Sequence, residues 1–121
     1  TLAIASELTG EEDAARALEQ LSARGFRMAA VTMGARGSAG VSGGETVFAP
    51  AFEVETVDTT AAGDTFHGAF IYARLMGWPL EKILLFANAA AAVKCSRPGA
   101  RRGIPRLDEV SAFLKHRNIE L

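Results

Sequence analysis

The feature that most constrains the fold is the segment PLEKILLFANAAAAVKC, residues 79–95, which is apolar around nearly its whole circumference. Proline suits the first turn of a helix, because the N–H that it lacks would have no partner there, so Pro79 marks the entry of a helix. A helix without a polar face must be covered on all sides. We therefore predict a central, buried helix in a globular domain.

The remainder of the chain supplies elements that can cover this helix. Short apolar or alternating runs predict strands at 1–6, at 26–34, in two pieces of 37–50 that flank Gly43-Gly44 as a hairpin, and at 51–57. Helical periodicity predicts further helices from Thr9 or Gly10 to Gly25, from Asp64 to Gly77, and over 106–118. The order predicts an α/β fold in a single domain, residues 1–121, in which helices flank a sheet that contains a β-hairpin.

Composition excludes several classes of protein. The net charge of −1 gives no basic excess for nucleic acid or an anionic membrane, and we expect neither as a partner. The basic cluster RPGARR, residues 97–102, is predicted to be a solvated loop. A single cysteine, Cys95, excludes an internal disulfide framework and fits a reducing, cytoplasmic location. The chain begins with Thr1 instead of Met, and we expect it to be part of a longer protein.

The segment VDTTAAGDTFHGAF, residues 57–70, carries the clearest chemical pattern. Small residues before a helix leave its first N–H groups unshielded, and these groups lack partners and carry partial positive charge. A phosphate fits there. The pattern predicts that the amides of Ala61, Ala62 and Gly63 form an anion hole, with Asp64 as general base of a phosphoryl transfer. Alternatively, Asp64 only complements the helix dipole and the small residues only form a tight turn.

DTTAAGDTF, residues 58–66, also resembles the C-terminal signature of the ribokinase-like (PfkB) carbohydrate kinases, D-T-x-[GA]-A-G-D, with Ala61 where many members have glycine. The motif is long and ordered, so the resemblance is specific. It implies the C-terminal part of a ribokinase-like fold. It also implies ATP-dependent phosphorylation of a sugar or related alcohol, whose hydroxyl Asp64 would contact and deprotonate.

The resemblance extends to the nucleotide site. VTMGARGS, residues 31–38, resembles a second nucleotide-contacting stretch of the family, although an ordinary strand and turn would look similar. Asn88 falls where a residue lies near adenine, and the alanine run around it would leave room for a flat base. The implied ATP-binding residues are Thr32, Met33, Gly34, Ala35, Arg36, Gly37, Gly63 and Asn88.

A monovalent cation, K⁺, is implied beside the anion hole. Backbone carbonyl groups suit such a large, weakly hydrated ion, so side-chain identity matters little at most of these positions. The matching residues are Asp58, Thr60, Lys94, Arg97, Gly99 and Gly103. For Asp58 the alternative is a purely structural role, in which its hydrogen bonds lock the end of the preceding segment.

Other parts of the family pattern are missing. The N-x-x-E motif associated with Mg²⁺ is not recognisable, although ATP chemistry demands the ion and Glu7 lies in its neighbourhood. The resemblance places the lid, most of the sheet and most sugar contacts in an N-terminal portion that this chain lacks. We therefore expect the isolated chain to transfer little or no phosphate, and the whole kinase to pair as a homodimer through the lid.

Two other functions compete with a kinase. The chain can be a nucleotide- or anion-binding module without turnover, such as a truncated or regulatory relative. A dinucleotide-binding oxidoreductase domain is disfavoured, because the sequence has no G-x-G-x-x-G motif followed by an acidic residue for the ribose.

Overall fold

The computed structural model describes residues 1–120 and contains five helices and three strands in that range. In chain order they are α1 (Leu2–Thr9), α2 (Ala14–Ala23), β1 (Met28–Thr32), β2 (Ser38–Ser42), β3 (Glu45–Ala49), α3 (Ala62–Leu75), α4 (Leu80–Cys95) and α5 (Leu107–Lys115). A short 3₁₀ turn, Gly34–Arg36, connects β1 to β2.

The three strands form one antiparallel sheet in the order β1-β2-β3. The predicted hairpin is confirmed, because Gly43 and Gly44 connect β2 to β3 with φ of 59° and 83°, a region that glycine enters without steric cost. Alternation of side chains along the strands sends Val31, Ala39 and Val41 into a core that also contains Leu18 of α2. The opposite face of the sheet packs against α3 and α4 in a second core. The α/β fold class is thus confirmed, as three layers.

Helix α4 is the centre of the molecule, as its pattern predicted. Eleven of its sixteen residues are buried, and it contacts the sheet, α3 and α5. Ile83, Leu84 and Ala87 have no exposed surface. In the described range, 1–120, no helix has both the length and the apolar character needed to cross a bilayer.

The predicted strand at 1–6 is wrong, because these residues belong to helix α1. The Thr1 hydroxyl accepts a hydrogen bond from the Ile4 amide, and Ala5 packs into the core with α2. Gly10 ends the helix with φ of 78°. The start predicted for α2 at Thr9 or Gly10 therefore moves to Asp13, whose carboxylate caps the helix by accepting from the Arg16 amide at 3.0 Å.

The strand predicted at 51–57 is also wrong, since these residues, all within the described range, form irregular extended chain. Alternation arises here without a sheet partner. Phe52 packs edge-to-face on Phe113 of α5, with 5.3 Å between ring centroids, while Glu53 and Glu55 are exposed. The segment ends against α4, where the amides of Val57 and Asp58 both donate to the Cys95 carbonyl.

Candidate functional site

A cavity of about 970 Å³ opens between the β1–β2 connection, the start of α3 and one face of α4. Its size lies at the upper end of the usual range for ligand sites. All the residues predicted to bind ATP line this one cavity, namely Thr32, Met33, Gly34, Ala35, Arg36, Gly37, Gly63 and Asn88. The structure therefore brings together three segments that are far apart in sequence, while their contact with a nucleotide stays a prediction.

The loop from Met33 to Gly37 forms one wall and is closed by a hydrogen bond from the Met33 amide to the Gly37 carbonyl, 2.8 Å. Glycine is favoured at its two glycine positions for different physical reasons. Gly34 has φ of 59° and open space around it, so only its backbone conformation favours glycine. Gly37 has φ of 93°, and a side chain there would collide with the Ala49 carbonyl and approach the Ala51 nitrogen at 2.6 Å. The packing of the protein itself thus requires Gly37.

The start of α3 borders the same cavity through Ala62 and Gly63. Ala61 precedes the helix with φ of 62°, a left-handed conformation that costs a non-glycine residue about 1 kcal/mol. Among residues 1–120, no acceptor pairs with the amides of Ala61, Gly63 or Asp64, whereas the Ala62 amide already donates to the Thr59 carbonyl at 3.1 Å. In this conformation the protein itself occupies the Ala62 amide. The role of the amides of Ala61, Ala62, Gly63 or Asp64 toward an anion stays a prediction.

Asp64 lies in the first turn of α3, is exposed to solvent and does not line the larger cavity. It borders a second cavity of about 360 Å³, together with Thr65, Ile104 and Arg106. Consecutive residues of one helical turn, Gly63 and Asp64, thus line two different cavities. This arrangement puts an unpaired amide on one side of the turn and a carboxylate on the other.

Asn88 is 7% exposed, and the protein itself occupies its side-chain amide. The amide nitrogen donates to the carbonyl groups of Ala49 and Pro50, at 2.9 and 3.0 Å, and the amide oxygen accepts from the Ser38 hydroxyl at 3.0 Å. Asn88 therefore fastens α4 to β2 and to the end of β3. Its side chain borders the cavity as a fixed part of the wall.

Asp58 lies ahead of α3 and connects its own segment to the loop that follows α4. Its carboxylate accepts hydrogen bonds from the backbone amides of Thr60 and Gly99, both at 2.8 Å. Hydrogen bonds from the Thr60 side chain and backbone, and then from Gly99, lower the pKa of Asp58 to about 2. The structural role considered for Asp58 is therefore present, and its role toward a cation stays a prediction.

Lys94 is fully buried, and its side chain points toward the residues predicted to hold the cation. The Nζ atom donates to the Asp58 carbonyl at 2.9 Å and lies 3.5 Å from the Arg97 carbonyl. Gly103 packs on the stem of this lysine, because a side chain at Gly103 would come within 2.8 Å of Lys94 Cδ. Carbonyl groups predicted to bind K⁺ thus bind the ammonium group of the protein itself.

The loop that follows α4 is tied to α5. Arg97 forms an ion pair of 2.7 Å with Glu109, whose carboxylate also accepts from the Arg106 amide at 2.7 Å. The hydrogen bond from Arg97, followed by that from Arg106, lowers the pKa of Glu109. The loop is therefore held to Glu109 on both sides of Gly99, at Arg97 and at Arg106.

Among residues 1–120, no three His, Cys, Asp or Glu side chains lie together as a group that could hold a metal ion. Glu7 is exposed on α1 and does not line the cavity. Mg²⁺ is commonly bound by one or two carboxylates together with the phosphates of its nucleotide, so its binding with ATP stays a prediction.

Sequence reasoning missed one wall of the large cavity. The lining also includes Ala51, Phe52, Glu53, Val54 and Thr56, in the segment predicted to be a strand. Ala91, Ala92 and Cys95 of α4 also line it, as do residues 1–3 at the start of α1. The alanine run of α4 indicated a helix face with small side chains. No local pattern indicated that the irregular segment 51–57 would lie beside this face.

The comparisons with known proteins agree with this geometry. The model of the pfkB family carbohydrate kinases matches residues 1–107. The ribokinase of Haemophilus influenzae is 34% identical over 110 residues, which cover 91% of this chain and 36% of that enzyme. The chain thus spans about a third of the length of this relative.

Solved structures give the same result. A protein of E. coli described as a ribokinase II, in complex with ATP and Mg²⁺, has a TM-score of 0.86 at 31% identity, over 94% of this chain and 37% of that one. Arabidopsis thaliana ribokinase, complexed with ribose and ATP, has a TM-score of 0.81 at 33% identity, over 92% and 38% of the two chains. The family model that matches residues 1–107, together with these similarities, shows that the chain belongs to the pfkB family of carbohydrate kinases.

Proposed function

We propose that this chain forms the nucleotide-binding and catalytic part of an ATP-dependent sugar kinase. A further portion, outside residues 1–121, would supply most contacts to the sugar. The observation that carries the proposal is the single cavity that joins the loop 32–37 to the start of α3, where the amide of Gly63 has no acceptor among residues 1–120. Unpaired amides at a helix start favour bound phosphate, and the loop would extend along the remainder of the nucleotide.

The start of α3 would stabilise the charge of the transferred phosphoryl group. The amides of Ala61, Gly63 and Asp64 are fixed before a ligand arrives, so they can stabilise developing charge without reorganisation of solvent. Phosphoryl transfer depends mainly on such positioning and electrostatic stabilisation. Mg²⁺ would accompany the ATP phosphates and neutralise part of their charge.

Asp64 would accept the proton of the attacking hydroxyl. Its carboxylate is exposed and borders the smaller cavity, across the helical turn from Gly63. ATP, the phosphoryl donor, would lie on one side of the turn and the acceptor alcohol on the other. Both would then meet at the same backbone amides. This geometry supports transfer across the first turn of α3, from ATP to a hydroxyl beside Asp64.

Two relatives support the choice of substrates. Ribokinase of Arabidopsis was solved with ribose and ATP, and the E. coli protein with ATP and Mg²⁺. We propose ATP as donor and a sugar or related alcohol as acceptor, at the level of the class. Ribose, fructose, 2-keto-3-deoxygluconate and nucleosides all belong to this class.

A nucleotide-binding module without turnover is the second candidate. It is favoured by one observation, namely that Asp64 does not line the cavity in which the nucleotide would bind. Both candidates require ATP binding. They differ in whether the complete protein transfers phosphate, a step in which the kinase would use Asp64.

We would test the proposal by replacing Asp64 with asparagine in the complete kinase, the polypeptide that joins this chain to its sugar-binding portion. General-base catalysis predicts that Asp64→Asn lowers kcat by about 10²–10⁴ with little change in ATP affinity. Steady-state kinetics with a sugar panel, together with calorimetric ATP titrations, give both quantities.

Asp108→Asn is the matched control, because Asp108 also lies exposed in the first turn of a helix, α5. Both changes remove a carboxylate that complements a helix dipole, so a purely structural role would make the two variants alike. Equal, measurable kcat for Asp64→Asn, Asp108→Asn and the unchanged kinase would reject Asp64 as the base. ATP binding without turnover in the unchanged protein would favour the binding module. Absence of ATP binding would reject both candidates.

A further inference from the structure

The buried ammonium group of Lys94 needs an explanation beyond packing. Lys94 is 0% exposed, and burial of a charge is costly unless acceptors compensate for the lost water. Its acceptors are backbone carbonyl groups, those of Asp58 at 2.9 Å and Arg97 at 3.5 Å. An ammonium group and K⁺ have similar size and equal charge, and rings of carbonyl oxygens are ligands for K⁺.

The residues predicted to hold a monovalent cation therefore do not fit a separate ion beside Lys94. The carbonyl oxygens of Asp58 and Arg97 already face its Nζ atom, and Gly103 closes over its stem. We propose that the Lys94 ammonium takes the place of a monovalent cation in this chain. It holds together the segment before α3 and the loop after α4, and it makes the site independent of K⁺.

The position of this ammonium links it to the unpaired amides of α3. The carbonyl of Asp58 binds Lys94, and the carboxylate of the same residue accepts from Thr60 and Gly99. Ala61, the left-handed residue, follows directly after Thr60. Lys94 is thus a positioning residue that acts through Asp58, and its effect on phosphate binding rests on the proposed function.

Two substitutions distinguish the effect of the Lys94 charge from the effect of the space that its side chain fills. Lys94→Ala removes the ammonium and opens room for an ion among the carbonyl groups. Lys94→Met removes the charge but keeps an apolar stem in the same space. Lys115→Ala, at an exposed lysine of α5, is the control for loss of one positive charge.

The experiment compares KCl with choline chloride at equal ionic strength and records the midpoint of thermal unfolding for each variant. We expect equal midpoints in the two salts for the unchanged protein, for Lys94→Met and for Lys115→Ala. We expect the midpoint of Lys94→Ala to be higher in KCl by about 3 °C or more, and to rise with KCl concentration until saturation. A merely structural lysine would not produce this salt response.

Calorimetric titration with ATP and Mg²⁺ is the second measurement. Hydrogen bonds to charged groups predict that Lys94→Met weakens ATP binding about tenfold or more in both salts. K⁺ should restore the affinity of Lys94→Ala but not that of Lys94→Met. If Lys94→Ala does not fold in either salt, Lys94→Met decides the question.

The inference is overturned if K⁺ saturably stabilises the unchanged protein, which would indicate a separate cation site. It is also overturned if Lys94→Met binds ATP as tightly as the unchanged protein, or if a folded Lys94→Ala gives equal midpoints in the two salts. If the proposed function is wrong, the two measurements give a different outcome. The unchanged protein would then not bind ATP, while the unfolding response of Lys94→Ala to K⁺ would remain.

Discussion

At the scale of single residues, Asp58 shows how a short motif acts through hydrogen bonds. The residue belongs to the signature at 58–64, and its carboxylate joins Thr60 to Gly99, two residues separated by helices α3 and α4. The ionised form accepts these hydrogen bonds, which is why the pKa of Asp58 falls to about 2. Protonation of this one side chain therefore weakens the connection between the two loops.

We predict a specific acid sensitivity from this pKa. The folded-state pKa of Asp58, about 2, lies below its ordinary value of 3.8, so its ionisation stabilises the fold above pH 3.8 and this contribution is lost as the pH falls toward 2. Asp58→Asn should lower stability at neutral pH. The difference between variant and unchanged protein should shrink as the pH falls through that range.

Urea unfolding at a series of pH values measures this difference. Thr60→Ala is a useful companion variant, because it keeps the Asp58 carboxylate and removes only the hydroxyl of Thr60, which contributes to the lowered pKa. We expect its effect to have the same sign and a smaller size. A stability difference for Asp58→Asn that stays constant between about pH 5 and pH 2 would contradict the prediction.

The sequence predicted which segments form the site, but it did not predict where several of their side chains point. The pattern around 58–64 and the loop at 32–37 are local, and both border the cavity in the structure. Lys94 and Asn88 depend on partners far away in sequence, such as Asp58 and Ala49. No local periodicity encodes these partners, so the buried ammonium and the occupied amide appear only in three dimensions.

At the scale of elements, long patterns predicted structure well and short ones did not. Helix α4 has sixteen residues of consistent character, and its predicted position is confirmed. The run at 1–6 is too short to separate a strand from a helix by periodicity. The alternation at 51–57 agrees with the partly buried Phe52 and Val54, but it fails at Thr56, which it places on the covered side and which is exposed. It also cannot reveal that no neighbouring strand is available among the described residues.

The connection between β1 and β2 provides a test at this scale. Gly37→Ala should lower the free energy of unfolding by about 2 kcal/mol or more, because it combines an unfavourable positive φ with a collision against the Ala49–Ala51 backbone. Gly34→Ala is the matched control, since it also has a positive φ but meets open space. We expect a loss of about 1 kcal/mol for that variant.

Chemical denaturation of both variants measures these losses. Gly37→Ala should be the less stable of the two variants, because steric collision exists only at Gly37. A Gly34→Ala variant as unstable as Gly37→Ala would show that the loop is limited by backbone conformation alone.

At the scale of the whole molecule, the chain covers 36% of the ribokinase of Haemophilus influenzae. The large cavity collects the predicted nucleotide segments, while the resemblance places most sugar contacts outside residues 1–121. We therefore predict that the purified 121-residue chain binds ATP but transfers little or no phosphate to a sugar.

Calorimetry with ATP and a coupled kinase assay over a sugar panel check both parts. Asp64→Asn of the same chain is the control for contaminating kinases, because only turnover by this chain depends on Asp64. Robust turnover that Asp64→Asn abolishes would contradict the prediction. It would mean that the described helices and hairpin suffice to orient an acceptor alcohol.

The hydrogen bonds of Asn88 have a consequence for selectivity. They join the hairpin directly to α4 beside the cavity, so these two elements cannot separate independently. A cleft of set width spares an entering ligand much of the entropy cost of ordering its surroundings. The same rigidity would prevent the wall from rearranging around a ligand, and we expect the cavity to exclude by shape a flat ring of the wrong outline.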